Sequence, residues 1–161
     1  MKKKPTLASI LREYGVDEGT IKMGKKGLRY RSIVEKGVAW YWCARYVRRR
    51  DAKAFGTCIS CDKPKTFNEL QGGHFVPASE CGTNLLMDER NVNGECGRCN
   101  TWVESHLWGY EKGLNKRYGE GTGQELRRRF DDNKDSTKKY SREEWKEIAL
   151  KYKKLYEIHT H

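Results

Sequence analysis

Apolar residues recur at helical spacing on both sides of a middle region in which this periodicity is lost. The pattern predicts helices over about residues 6–14, 32–55, 100–118 and 124–131, and a last helix from residue 141 onward. Ser32 is a candidate N-cap for the long second helix, and Ser141 begins a capping box with Glu144. The chain is therefore predicted to consist of helices that flank one irregular segment.

The irregular segment, residues 56–100, is rich in Gly, Cys, Asn and Pro, which is typical of loops and a hairpin. It contains two Cys-x-x-Cys sequences, Cys58 to Cys61 and Cys96 to Cys99. Two such pairs supply the four thiolates of a tetrahedral zinc site, and a site closed by four thiolates is structural. Because a hydrophobic fraction of 36% leaves a small core, zinc binding is expected to contribute to folding.

The two cysteine pairs stand unusually far apart in the chain. Between Cys61 and Cys96 lie 34 residues, whereas a simple zinc ribbon has roughly 15–20. The inserted segment includes the sequence Gly-Gly-His-Phe-Val-Pro, in which the histidine is His74. Zinc is therefore predicted to clamp the base of a hairpin that presents His74.

The net charge of +11 is concentrated in the first third of the chain. Residues 1–53 hold 15 Lys and Arg against 5 Asp and Glu, and a localised basic surface favours nucleic acid as a partner. Five basic residues near the end of the second helix directly precede the first cysteine pair and are expected to contact DNA phosphates: Arg45, Arg48, Arg49, Arg50 and Lys53. The neighbouring Trp40, Tyr41 and Trp42 are predicted to be core residues rather than base-stacking ones.

Three residues in the middle region have the chemistry that phosphodiester hydrolysis needs. The imidazole of His74 is a suitable general base at neutral pH. Asn100, which directly follows Cys99 where a helix would begin, offers a neutral oxygen to a hard ion such as Mg²⁺. Asn91 is predicted to hydrogen-bond the loop that carries His74 and so to fix its ring.

These residues carry a resemblance to a known superfamily and, within it, to a narrower family. The sequences Gly-Gly-His74-Phe-Val-Pro, Asn91-Val-Asn-Gly-Glu-Cys96 and Cys99-Asn100 resemble the motif of the ββα-metal (HNH) nucleases. More narrowly, Cys-Ile-Ser-Cys, Gly-His-x-x-Pro, Glu-Arg-Asn and Cys-Asn resemble the NinG/Rap recombination endonucleases of lambda-like phages, over about residues 38–157. The resemblance implies an α+β fold with a small zinc-stapled ββα-metal (HNH) core over residues 56–120. A basic N-terminal arm and long helix over residues 1–55 and a C-terminal helical extension over residues 121–161 would flank this core.

The resemblance also implies an activity, that of a metal-dependent DNA endonuclease acting on branched recombination intermediates such as Holliday junctions or D-loops. His74, Asn91 and Asn100 would form its catalytic site, with Mg²⁺ or Mn²⁺ as the catalytic ion. Many HNH enzymes place an Asp or His ligand directly before the general base, whereas this chain has Gly73 there. Two candidates for the missing ligand remain open, Glu104 at i+4 from Asn100, and His106.

The main alternative to a nuclease is a non-catalytic, zinc-stabilised module that binds nucleic acid. A third interpretation, a zinc-stabilised adaptor for proteins, explains neither the placement of His74 nor the charge distribution. Paired cuts in a branched substrate would call for a homodimer, although no coiled-coil seam is evident in the sequence. No apolar run reaches membrane-spanning length and no signal peptide opens the chain, so we expect no membrane partner and a reducing cytoplasm, that of the host cell for a phage-encoded protein.

Overall fold

The computed structural model of the chain describes residues 6–16, 34–102, 106–133 and 139–160. These residues form helices and one antiparallel sheet of two strands. In chain order the elements are α1 (Leu7–Glu13), α2 (Val34–Ala54), β1 (Leu70–His74), α3 (Gly82–Leu86), β2 (Val92–Cys96), α4 (Gly97–Trp102), α5 (His106–Tyr118), α6 (Thr122–Asn133) and α7 (Arg142–Thr160). Two predicted features, the N-cap Ser32 and the candidate ligand Glu104, lie outside the described residues.

The two longest helices, α2 and α7, pack against each other and form the main body of the core. Their apolar stripes bury Val38, Trp42 and Val47 of α2 against a face of α7 that includes Trp145 and Tyr152. The start of α7 is fixed by the predicted capping box. The Ser141 N–H donates to the Glu144 carboxylate at 2.7 Å and the Glu144 N–H donates to Ser141 Oγ at 3.1 Å, which confirms that prediction.

The remaining helices depart from the predicted pattern in two places, at one helix boundary and at α3, which lies in the segment predicted to be irregular. Helices α1 and α6 confirm the helices predicted over residues 6–14 and 124–131. The helix predicted from about Asn100 is wrong in its start, because α4 begins at Gly97 and includes Cys99. The second Cys-x-x-Cys sequence thus crosses from the end of β2 into a helix, and Asn100 is the fourth residue of α4.

The sheet is the predicted hairpin, with β1 antiparallel to β2 so that Leu70 lies opposite Cys96 and His74 opposite Val92. One face of the hairpin rests on α2. At Gly72 a β carbon would meet Ala44 and the Trp40 ring, so that the absence of a side chain allows the strand to approach the helix closely. The short helix α3 lies in the connection between the two strands, and α4 follows β2 directly, so the chain order here is strand, helix, strand, helix.

A buried ion network ties the hairpin to helices on both sides of it. Asp51 of α2 has no exposed surface and accepts hydrogen bonds from the Gly94 N–H and from the guanidinium groups of Arg50 and Arg117. Burying one carboxylate with two cations and a backbone donor satisfies its lone pairs, which a buried charge requires.

The architecture is α+β, as predicted, while the assignment to the ββα-metal (HNH) core stays a prediction. Residues from the first, middle and last thirds of the chain contribute to the main hydrophobic cluster. In the part of the chain that the structure describes, no helix combines the length and the apolar character needed to cross a membrane.

Candidate functional site

The four cysteines of the two pairs come together at the base of the hairpin. Their Sγ atoms all lie within 4.8 Å of one another, so the cluster of Cys58, Cys61, Cys96 and Cys99 could hold a zinc ion. The Cys96 N–H donates to Cys58 Sγ at 3.2 Å, and Leu70 packs against the thiols. Burial raises the pKa of Cys58 to about 11, so a bound cation would be needed to hold this thiol as a thiolate at neutral pH.

The first cysteine pair is also held from the side by α5. A β carbon at Gly109 would overlap the carbonyl of Ser60, and one at Gly113 would overlap that of Ile59. These two helix positions, one turn apart, let the turn between Cys58 and Cys61 lie directly on the helix backbone. The packing brings Ser60 and the first turn of α5 to the same side of the hairpin.

His74 ends β1 and is half-buried against α2. Its ring stacks on that of Trp40 with centroids 4.8 Å apart, and its Nε2 lies 2.7 Å from the Leu86 carbonyl oxygen. Since a carbonyl only accepts, Nε2 carries the proton and Nδ1 keeps its lone pair. Burial lowers the pKa of His74 below its ordinary value, against the opposing effect of the bond to Leu86. The imidazole is therefore neutral at pH 7, as a general base must be.

Asn91 fixes the loop that follows His74. It is fully buried, its Oδ1 accepts the Val76 N–H at 2.7 Å, and its Nδ2 donates to the carbonyls of Val76 and Leu85 at 3.2 and 3.0 Å. The Asn91 carbonyl also accepts the Phe75 N–H at 2.9 Å. The sequence predicted that Asn91 hydrogen-bonds the loop that carries His74, and these contacts are of that kind. A role of Asn91 in catalysis stays a prediction.

A cleft of about 820 Å³ opens over the hairpin and contains both His74 and Asn100. Its walls include Trp40 and two basic residues, Lys36 and Arg48. Trp42 is buried as predicted, with its Nε1 donating to the Tyr14 carbonyl at 3.2 Å. Trp40 instead lines the cleft, where the side chain missing at Gly72 leaves room for its ring, which stacks on His74.

The amide of Asn100 is directed by its neighbour on β1. Its Nδ2 donates to Gln71 Oε1 at 2.9 Å, and its Oδ1 lies 3.2 Å from the point where a Gly73 β carbon would be. The side chain is exposed to solvent at the edge of the cleft. Its oxygen is thus available to a cation from the cleft side.

A residue that sequence reasoning missed, Glu95, lies on the same face of the hairpin as Gly73. Its side chain has no exposed surface, and its Oε1 accepts from Ser60 Oγ and lies 3.1 Å from His106 Nδ1. Burial raises the pKa of Glu95, against the lowering effect of these two neighbours. His106, one of the two candidate ligands, therefore contacts Glu95 rather than standing alone on α5. The only sequence signal was a carboxylate directly before Cys96, and its partners Ser60 and His106 are distant in sequence.

The five basic residues expected to contact DNA differ in how far their side chains are engaged within the protein. Arg45 donates to the Tyr156 hydroxyl at 3.1 Å, Arg48 donates to the Phe67 carbonyl at 2.9 Å, and Arg49 lies over the Phe67 ring at 4.4 Å. Lys53 is exposed.

Arg50 differs from the other four, because it points inward. Its three guanidinium nitrogens bond the Asp51 carboxylate at 2.7 Å, the Glu89 carbonyl at 2.9 Å, and both the Val92 carbonyl and Asn93 Oδ1 on β2 at 3.3 and 3.0 Å. Every guanidinium nitrogen of Arg50 is thus hydrogen-bonded inside the protein, which gives this residue a structural role, and its expected contact with phosphate stays a prediction.

The fold and the cysteine cluster together define an α+β protein with a potential zinc site. The family model described as bacteriophage lambda NinG protein matches residues 12–159 of the chain. Because this match spans most of the sequence, the chain belongs to the NinG family, which confirms the predicted family, while the assignment to the HNH nucleases stays a prediction. No significant match to the chain was found among curated proteins or among solved structures.

Proposed function

We propose that this NinG-family protein is a metal-dependent DNA endonuclease that hydrolyses phosphodiester bonds, with His74 as its general base. The main support for the proposal is that the imidazole of His74 is oriented, neutral and open to a cleft. Its Nε2 is held 2.7 Å from the Leu86 carbonyl, burial keeps its pKa low, and the ring faces a cleft shared with Asn100. Among the described residues no hydrogen bond reaches Nδ1, so that this nitrogen can accept a proton from water.

The chemistry then follows from the positions of the chain's own groups. His74 Nδ1 takes a proton from a water, the hydroxide attacks phosphorus, and the bond from phosphorus to the leaving sugar oxygen breaks. The leaving oxygen takes up a proton from solvent, and His74 returns its own proton to solvent. Trp40 and Asn91 restrict the movement of the ring and of its loop. A Mg²⁺ or Mn²⁺ ion bound near Asn100 would supply Lewis-acid stabilisation of the phosphate and of the leaving oxygen.

The substrate class rests on charge and on family membership. Lys36 and Arg48 line the cleft beside His74, where cationic side chains suit phosphate oxygens. The resemblance to recombination endonucleases narrows the DNA to branched intermediates, such as Holliday junctions or displaced-strand loops, and we extend that class to this chain.

The test is a cleavage assay on linear, forked and four-way DNA of matched sequence, with and without Mg²⁺. We expect divalent-ion-dependent cleavage that favours the branched substrates. His74→Ala should slow the chemical step by ~10²–10⁴-fold with DNA binding and zinc content near wild type. Excess Mn²⁺ should partly restore Asn100→Ala but not His74→Ala, because only the first loses a group that holds the ion. His159→Ala, a histidine of α7 that does not line the cleft, is the matched control.

Two outcomes would overturn the proposal. Full cleavage by purified His74→Ala protein would remove His74 as the base. Tight DNA binding by wild-type protein with no cleavage under any divalent ion would favour the alternative, a non-catalytic zinc-stabilised module that binds nucleic acid.

A further inference from the structure

The position that lacks a side chain at Gly73 is filled from the neighbouring strand. A β carbon at Gly73 would overlap the Oε2 atom and the β carbon of Glu95, so the carboxylate of Glu95 occupies the space that a side chain at Gly73 would enter. Glu95 lies diagonally across the hairpin from Gly73, since its direct partner is Gln71. The chain thus has a carboxylate at this place, delivered by β2 rather than by β1.

The two oxygens of this carboxylate are in different situations. Oε1 accepts from Ser60 Oγ and from His106 Nδ1. Oε2 is buried, and within the described part of the chain it has no hydrogen-bond partner. A buried carboxylate oxygen without a partner is costly, because this oxygen has lost its hydrogen bonds to water and has no protein donor in their place.

A second oxygen faces the same point from the cleft side. Asn100 Oδ1 lies 3.2 Å from the ideal β-carbon position of Gly73, where Glu95 Oε2 also lies, and the Asn100 amide nitrogen is turned away by its bond to Gln71. A carboxylate oxygen and an amide oxygen are the ligands that hard divalent ions prefer, with water or phosphate oxygens completing the shell. An ion placed there would supply the partner that Oε2 lacks.

We propose that Glu95 and Asn100 hold the divalent ion of this protein, and that Ser60 and His106 are positioning residues that orient the Glu95 carboxylate. The inference rests on the proposed nuclease function and gives it the ligand missing at Gly73. It assigns His106 to the Glu95 carboxylate, through the contact of its Nδ1 with Oε1 at 3.1 Å. Orienting partners of this kind commonly change metal affinity by about 10–100-fold when removed.

The test measures metal binding directly, without DNA. Mn²⁺ is titrated into the zinc-loaded full chain and the free ion is followed by electron paramagnetic resonance. Glu95→Gln, which keeps the shape and the Ser60 contact, should bind Mn²⁺ at least about tenfold more weakly than wild type, and Ser60→Ala and His106→Gln about tenfold. Glu111→Gln is the matched control, because Glu111 pairs with Arg127 on α6 and should leave Mn²⁺ affinity unchanged.

Asn100→Ala guards against a Glu95 variant that does not fold, because the Asn100 side chain is exposed and its loss leaves the interior intact. It too should bind Mn²⁺ more weakly. In NMR spectra of the wild type, Mn²⁺ should broaden the ring signals of His106 well before those of His159. Wild-type affinity in both Glu95→Gln and Asn100→Ala would overturn the site. Normal Mn²⁺ binding at Glu95 in a protein that cuts no DNA would instead refute the nuclease and leave the metal site standing.

Discussion

Replacing Asn91 by alanine removes three side-chain hydrogen bonds from the interior next to His74. The Leu85 carbonyl keeps a bond from the Asp88 N–H at 3.2 Å, whereas the Val76 N–H and carbonyl lose the Asn91 amide. A buried backbone group left without a partner costs about 1–3 kcal/mol, so two such groups should lower the free energy of unfolding by about 3 kcal/mol. For a chain of this size that corresponds to a melting temperature lower by roughly 6–12 °C.

Asn91→Ala should also lower the rate of DNA cleavage. The loop from His74 to Val76 would lose its side-chain anchor, and a displacement of about 1 Å at a reacting group can reduce the rate by roughly 10²-fold. Because the basic residues of α2 are untouched, DNA affinity should change little. Asn91→Ala is therefore expected to lower both stability and the cleavage rate, with binding preserved.

Urea unfolding of the zinc-loaded protein, followed by circular dichroism with zinc content checked, measures the first effect. Asn133→Ala is the control, since Asn133 is exposed and, within the described residues, its side chain donates only to the Arg129 carbonyl at the end of α6. It should change stability by less than about 0.5 kcal/mol. A loss below about 1 kcal/mol together with full cleavage would show that Asn91 does not hold the loop.

Three other results are expected. Since burial lowers the pKa of His74 and the base must be neutral, kcat/KM should hold as pH falls through 6.5, the ordinary histidine value, and drop only at lower pH; a half-maximal rate above pH 6.5 would contradict this. Cys96→Ser should lose the zinc of the four-cysteine cluster and melt at lower temperature, and elemental analysis that finds a fully folded, zinc-free wild type would count against a structural zinc. Replacing Arg48 and Lys53 with alanine should reduce the slope of log Kd against log salt by about one for each phosphate that the variant no longer neutralises, and an unchanged slope would place the DNA elsewhere.

Local sequence was enough to predict the features that depend on local pattern. The helices follow from apolar periodicity, the start of α7 from the Ser141 and Glu144 capping box, and the four-thiol cluster from two spaced Cys-x-x-Cys pairs. The hairpin between the pairs followed from the length of the insert. Each of these features is encoded either in a short stretch of the chain or in the number of residues between two motifs.

The parts that escaped prediction depend on long-range packing. Glu95 lies between a glycine and a cysteine on a strand of five residues, and its contact with Ser60 spans 35 positions. Trp40 has the spacing of a core residue, yet it lines the cleft because the strand beneath it has no side chain at Gly72. Arg50 stands in a run of three arginines that are alike in sequence, and only the position of Asp51 and β2 turns it inward.

The arginines of α2 that lie against aromatic rings have a consequence for how tightly a polyanion could be held. The guanidinium groups of Arg48 and Arg49 lie 4.3 and 4.4 Å from the Phe67 ring, and that of Arg45 lies 5.0 Å from the Tyr156 ring. Free arginine side chains lose about 0.5–1.5 kcal/mol of rotamer entropy each when a ligand immobilises them. Here most of that ordering has already taken place during folding, so the entropic penalty of association would be smaller than for the same charges on a flexible tail.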